Sequence, residues 1–199
     1  LRENYASIVL QSTEKVLITK NTLYFTADGI TAVAFSPTNN VKIIENSIEL
    51  GDFNTAQTRP VLRAITIYGG ENVVVSSNKI QSKGVAQGMY FNRVNHGDIT
   101  GNTMKGIFAA IQTNGGEEVA IRDNILNSDR TSPSSVGIWV ININGASVQR
   151  NEVNHFEIGM RFDAPTSGTY GGNSICGATH PLNQPGVPVA PNMQDSGNN

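Results

Sequence analysis

Tyr90, Gln112, Trp139 and Arg161 follow one another at intervals of 22, 27 and 22 residues. Two positions behind three of them stand Asn92, Asn114 and Asp163, and Tyr68 precedes Asn92 by 24 residues. Aromatic faces stack on the C–H groups of sugar rings, amides read hydroxyls, and a guanidinium pairs with a carboxylate. Tyr and Arg are also types that can take a proton and neutralise a neighbouring carboxylate, and Asp is the type that cleaves glycosides. Tyr90, Arg161 and Asp163 are therefore the catalytic candidates. Tyr68, Asn92, Gln112, Asn114 and Trp139 are binding candidates. Glycoside cleavage needs a second carboxylate, and the carboxylates on offer, Asp52 and Asp129, lie in loops. With Arg59 and Arg130 they sit in the two longest connections of the chain and are expected to wall a groove as substrate contacts.

The same outward residues also fit a face buried between copies of the chain in a homotrimer, or a face with no ligand. The histidines add little. His96 reads as a solvated turn residue, His155 falls past a corner, and His180 falls in the tail, away from the groove.

These residues need elements to position them, and composition names the kind. Charged residues are only 15% of the 199 and hydrophobic residues 38%, yet the net charge is −2 and apolar residues recur regularly, so the chain is folded rather than disordered. That small charge gives no electrostatic case for nucleic acid or a membrane surface. No apolar run approaches the roughly 18 residues of a spanning helix. A single cysteine, Cys176, excludes an intrachain disulfide and a Cys-based zinc site, and no Asp cluster marks calcium. No metal and no cofactor are expected. Asn (23 residues) and Gly (20) accompany Val, Ile, Ser and Thr, which predicts short strands joined by tight turns.

The chain repeats. VLITKN, VKIIEN, VVVSSN, GDITGN, VAIRDN, ASVQRN and GTYGGN end on Asn21, Asn46, Asn78, Asn102, Asn124, Asn151 and Asn173. An apolar residue stands thirteen positions before each: Ile8, Val33, Ile65, Met89, Ile111, Ile138 and Met160. Length varies from 9 to 19 residues only between an Asn and the next apolar marker. This predicts a solenoid of seven rungs, each of about 22 residues, with insertions on one face. Strand alternation then sends Ile65/Ile67, Met89/Phe91 and their equivalents inward. A small-residue column outside them (Ser7, Ala32, Ala64, Gly88, Ala110, Gly137, Gly159) is expected to floor a shallow trough. Tyr90 and Trp139, two rungs apart, would stand about 10 Å from each other. The Asn column is expected to stack inward as an amide ladder, with Asn also supplying the left-handed backbone of the corner.

Such a rung resembles that of the right-handed parallel β-helix, the fold of the pectate-lyase-like superfamily and of many bacteriophage tailspikes. The resemblance covers roughly residues 5–178. It implies an all-β, single-stranded β-helix that binds or degrades an extended cell-surface or matrix polysaccharide, as a tailspike-like depolymerase or a secreted lyase or hydrolase. It equally allows a non-catalytic structural or adhesion segment, such as a trimeric phage tail-fibre shaft. Either setting is extracellular, at a cell surface or on a virion tail. The paired-Asp and Gly-His-Gly elements of polygalacturonases do not occur. Neither do the Asp-Pro-His-Asp of mannuronan epimerases and the Arg-x-Pro-x-x-Arg of the main pectate lyases. Residues 1–178 are expected to form the β-helix domain, a piece of a longer β-helix protein, and 179–199 an irregular Pro-rich tail.

Overall fold

The computed structural model describes residues 6–11, 14–26, 28–33, 39–51, 62–83, 86–128, 134–183, 188–190 and 192–197. Among them every regular element is a strand, and every strand pairs in parallel with the strand one turn of chain before it, after it or both. The result is a right-handed parallel β-solenoid with three sheets. The first sheet runs Ala6–Gln11, Asp28–Val33, Leu62–Glu71, Ala86–Asn95, Ala109–Glu117, Val136–Ile141, Ile158–Asp163 and His180–Leu182. The second also has eight strands and the third has seven. The number of turns differs slightly from the seven rungs expected, and the coil continues past Asn173 into further strands of the first and second sheets.

That continuation corrects the reading of 179–199 as irregular. His180–Leu182 joins the first sheet and Asn192–Asp195 joins the second. Val189, Ala190 and Met193 pack on the hydrophobic core, and the Ser196 amide and hydroxyl both donate to the Tyr170 carbonyl. Tyr170 itself is buried against Phe162, ring centroids 5.1 Å apart.

One row of inward residues per sheet fills the interior. Ile65, Met89, Ile111, Ile138 and Met160 come from the first sheet, Val75, Ile99, Ile121 and Val148 from the second, and Ile80, Met104, Leu126 and Val153 from the third, all fully or almost fully buried. Each such side chain contributes about 1.5–3 kcal/mol by leaving water. The corner between the second and third sheets is held by the asparagines. Asn102 shows the pattern. Its main-chain N–H and its Nδ2 both donate to Asn124 Oδ1, at 2.9 and 3.0 Å, and Nδ2 also reaches the Val75 carbonyl of the preceding rung at 2.9 Å. The chain of amides runs unbroken from Asn21 to Asn173. The left-handed backbone belongs to the residue before each Asn: Lys20, Glu45, Ser77, Gly101, Asp123, Arg150 and Gly172, with φ between 51 and 63°. The Asn itself is reserved for the ladder, because its amide can satisfy buried backbone groups that a left-handed Asn would aim elsewhere.

Two expectations about register fail. In the second rung Ile30, not Val33, lies opposite Ile8 and Ile65, and Val33 lies opposite Gln11 and Tyr68. The residue in register with Ile8 and Ile65 therefore stands sixteen positions before Asn46 in that rung. The extra residues enter between Val33 and Val41, so a second corner also tolerates insertion. Val33 is apolar like Ile30, so the sequence pattern conceals the shift; Phe35 lies outside the described residues. The second failure concerns the small-residue column. Gly88, Ala110, Gly137 and Gly159 are buried. A Cβ on Gly88 would stand 2.5 Å from Met104 Sδ and 2.5 Å from the Ala110 carbonyl oxygen, and one on Gly159 would stand 2.6 Å from Ile175 Cγ2. These residues face inward, against the third sheet, where the corner leaves room for a methyl group at most. They do not floor a trough.

Candidate functional site

Because Gly88 and Met89 both point inward at this corner, the outward positions of the first sheet are displaced from simple alternation. One outward column is Arg63, Gln87, Ala109, Val136, Ile158 and His180. The next is Thr66, Tyr90, Gln112, Trp139 and Arg161, and the third is Tyr68, Asn92, Asn114, Ile141 and Asp163. The structure thus brings Tyr68, Tyr90, Asn92, Gln112, Asn114, Trp139, Arg161 and Asp163 onto one face, all half-buried. Asp52, Arg59, Asp129 and Arg130 lie outside the described residues.

Two knots of side chains stand on this face. In the first, Arg63 Nε donates to Gln87 Oε1 at 2.7 Å and Nη1 donates to the Tyr68 hydroxyl at 3.0 Å. Its guanidinium carbon lies 4.2 Å from the centroid of the Tyr90 ring. Tyr68 and Tyr90 meet edge to face at 5.8 Å, and Gln87 Nε2 extends the chain to Gln112 Oε1 at 3.3 Å. In the second knot, Arg161 stacks over Trp139 at 4.6 Å. Trp139 Nε1 donates to Asp163 Oδ2 at 2.8 Å, and Arg161 Nε donates to Asp163 Oδ1 at 2.9 Å. Asn92 and Asn114 sit side by side in register between the knots.

This arrangement alters the chemistry read from residue types. Trp139 and Tyr90 do not offer bare rings, since each carries a guanidinium on its face. Cation–π attraction is worth about 0.5–2 kcal/mol, and it holds each guanidinium flat on its ring. Asp163 accepts one hydrogen bond on each oxygen, which fixes its carboxylate beside the Trp139 ring while a lone pair remains on each oxygen. Arg63 and Gln87 were missed by sequence reasoning. Strict alternation sent position 87 inward, and only the uniform smallness of the neighbouring column hinted that two successive residues turn in. His180 was placed in the tail; it ends the Arg63 column, with Nε2 3.7 Å from Glu157 Oε1.

A separate titratable group lies where the first sheet turns into the second. His96 Nδ1 is 2.5 Å from Glu71 Oε1, and Nε2 is 3.2 Å from Glu118 Oε2. The ring links three successive rungs. The hydrogen bond to Glu71, with the charges of Glu71, Glu118 and Glu117 behind it, holds the imidazole pKa above its ordinary value, against a smaller opposing effect of desolvation. His96 is therefore an ion-paired clamp and not a merely solvated turn residue. On the outer face of the second sheet, Arg122 grips Asp98 and Arg150 grips Asp123, each through two nitrogens. Arg150 holds the Asp123 carboxyl below its usual range. Among the described residues no group of three His, Cys, Asp or Glu side chains could hold a metal ion, and no helix is long and apolar enough to cross a membrane.

Residues 1–153 match the family described as "Right handed beta helix region". No curated protein and no solved structure matches the chain.

Proposed function

We propose that this chain, which belongs to the right-handed β-helix family, binds an extended acidic polysaccharide along the outward face of its first sheet. The carrying observation is the pair of aromatic-backed guanidiniums, Arg63 over Tyr90 and Arg161 over Trp139, on one face with amides between them. Arg161, held by Asp163 through Nε, offers its two Nη nitrogens to a carboxylate or sulfate, and Arg63 adds positive charge at the other end of the face. Gln112, Asn92 and Asn114 supply groups that read hydroxyls between the two charges. Strands about 4.8 Å apart put the two arginines four rungs, roughly 19 Å, from each other along the coil, a span that suits several sugar rings rather than one. Turnover would assign Tyr90, Arg161 and Asp163 as the reacting groups, with Asp52 or Asp129 as the partner carboxylate of a hydrolase.

A second reading is a structural segment whose face packs against copies of the chain, as in a trimeric shaft. It draws on Trp139 and Ile141, partly exposed apolar side chains that stand on that face.

Calorimetry against acidic and neutral polysaccharides tests the first reading, with product assays for unsaturated uronates and new reducing ends run on the same mixtures. Arg161→Ala is expected to weaken acidic glycans more than neutral ones, and Trp139→Ala to cost about 1–3 kcal/mol of affinity while folding is retained. Light scattering on Trp139→Ala supplies the opposing result. If the variant dissociates an oligomer and leaves glycan affinity unchanged, the face is an interface.

A further inference from the structure

Asn–Gly occurs twice in the chain, at Asn114–Gly115 and at Asn144–Gly145. The second pair stands exposed at the corner before the strand Ala146–Gln149, with Gly145 at φ 77°. Ser167, one rung on, touches both of its reactive ends. The Ser167 hydroxyl donates to Asn144 Oδ1 at 3.0 Å, and the Gly145 N–H donates to Ser167 Oγ at 3.2 Å. One hydroxyl therefore bridges a backbone nitrogen and the side-chain carbonyl oxygen that the same nitrogen would activate by attack. Among the described residues no side-chain hydroxyl makes this bridge at Asn114–Gly115.

We propose that Asn144 is a self-catalysed deamidation site, with Ser167 as the proton relay. Gly145 N attacks Asn144 Cγ, and the new N–Cγ bond forms as the carbonyl π pair moves to Oδ1. The Gly145 proton passes to Ser167 Oγ while the Ser167 hydroxyl proton passes to Oδ1, so the serine is regenerated and never carries charge. This removes the obstacle of serine's weak acidity, because the hydroxyl gives and takes a proton together. The tetrahedral carbon then expels Nδ2 as ammonia, which carries off the proton from Oδ1, and a cyclic imide remains. Water opens the imide at either carbonyl, leaving aspartate or isoaspartate. The sum is one water consumed and one ammonia released, with no redox change. A glycine at 145 leaves the nucleophile without a side chain to obstruct it.

The product alters the corner. Asn144 is bridged to Glu117, and its carbonyl accepts the Glu118 N–H at 2.8 Å. A new carboxylate would join Glu117 and Glu118 beside the His96 clamp, and the extra backbone methylene of isoaspartate would pull that bond out of register. The site would act as a slow, irreversible clock on this corner.

The test is peptide mapping by mass spectrometry of the folded chain aged at neutral pH, reading both Asn–Gly sites in each sample. Asn144 is expected to convert faster than Asn114. Ser167→Ala is expected to slow Asn144 by about tenfold or more, within what a positioned acid–base group contributes, and to leave Asn114 unchanged. Ser167→Thr, which keeps the hydroxyl, is expected to retain the fast rate. An Asn144 rate in Ser167→Ala equal to or above that of the unaltered chain overturns the proposal, because the bridge would then be idle or protective. Absence of conversion at Asn144 in the unaltered chain overturns it as well.

Discussion

Thr113 is the single hydroxyl in an inward column otherwise made of Ile67, Phe91, Val140 and Phe162. It is 1% exposed, and its Oγ1 has no hydrogen-bond partner. A buried orphan hydroxyl costs about 1–3 kcal/mol, and valine has nearly its shape without that cost. Thr113→Val is expected to raise the denaturation midpoint by about 1 kcal/mol of stability; an unchanged or lower midpoint would show that the hydroxyl is satisfied in solution. The asparagines are the opposite case, since each buried amide is fully engaged. Asn102→Leu leaves the Val75 carbonyl and Asn124 Oδ1 short of donors and should cost about 1–3 kcal/mol, measured by urea titration. Both outcomes turn on pairing rather than polarity. Thr113 and Asn102 are comparably buried, and the sign of the effect differs because one has partners and the other has none.

Corners set the behaviour of the elements. At the narrow corner where the third sheet meets the first, a Cβ on Gly137 would collide with Val153 Cγ1 and come within 2.6 Å of the Gly159 carbonyl oxygen. Overpacking of this kind costs about 1–3 kcal/mol, so Gly137→Ala should lower the thermal midpoint; an unchanged midpoint would mean that the corner opens freely. At the corner between the first and second sheets, His96 bridges Glu71 and Glu118. Its pKa is raised in the folded state, so between 6.5 and that raised value the folded chain binds more protons than the unfolded one. Stability from this group is complete below about pH 6.5 and is lost as pH rises through the folded pKa. Urea midpoints of the unaltered chain should therefore fall across that window relative to those of His96→Gln. Parallel curves for the two proteins would show that the clamp does not hold in solution.

Over the whole molecule, stability is a sum of rungs and of the contacts between neighbours, so an end that is poorly covered weakens everything stacked behind it. Met193, 8% exposed, packs on the core at the last turn. Met193→Ala is expected to cost about 2 kcal/mol and to speed hydrogen exchange first in the strands Ser167–Gly171 and Ile158–Asp163. Uniform acceleration through all rungs would instead mean that the coil unfolds as one unit.

The parallel coil, its amide ladder and the outward placement of Tyr90, Trp139, Arg161 and Asp163 were legible in the sequence alone. A repeating fold writes the same local requirement once per turn, so a period and an alternation suffice to recover them. Three matters were not legible. The shift of Ile30 over Val33 was hidden because both candidates are apolar, and only hydrogen-bonded register separates them. The inward turn of Gly88 and Gly137 breaks alternation for a reason that lies across the corner, in Met104 and Val153 of another sheet. The pairing of Arg63 with Tyr90, and of Trp139 with Asp163 and Arg161, joins residues on adjacent rungs, far apart in sequence. Periodicity assigns each residue a column and a face. Which neighbours share a charge or fill a gap depends on distances that exist only once the rungs are stacked.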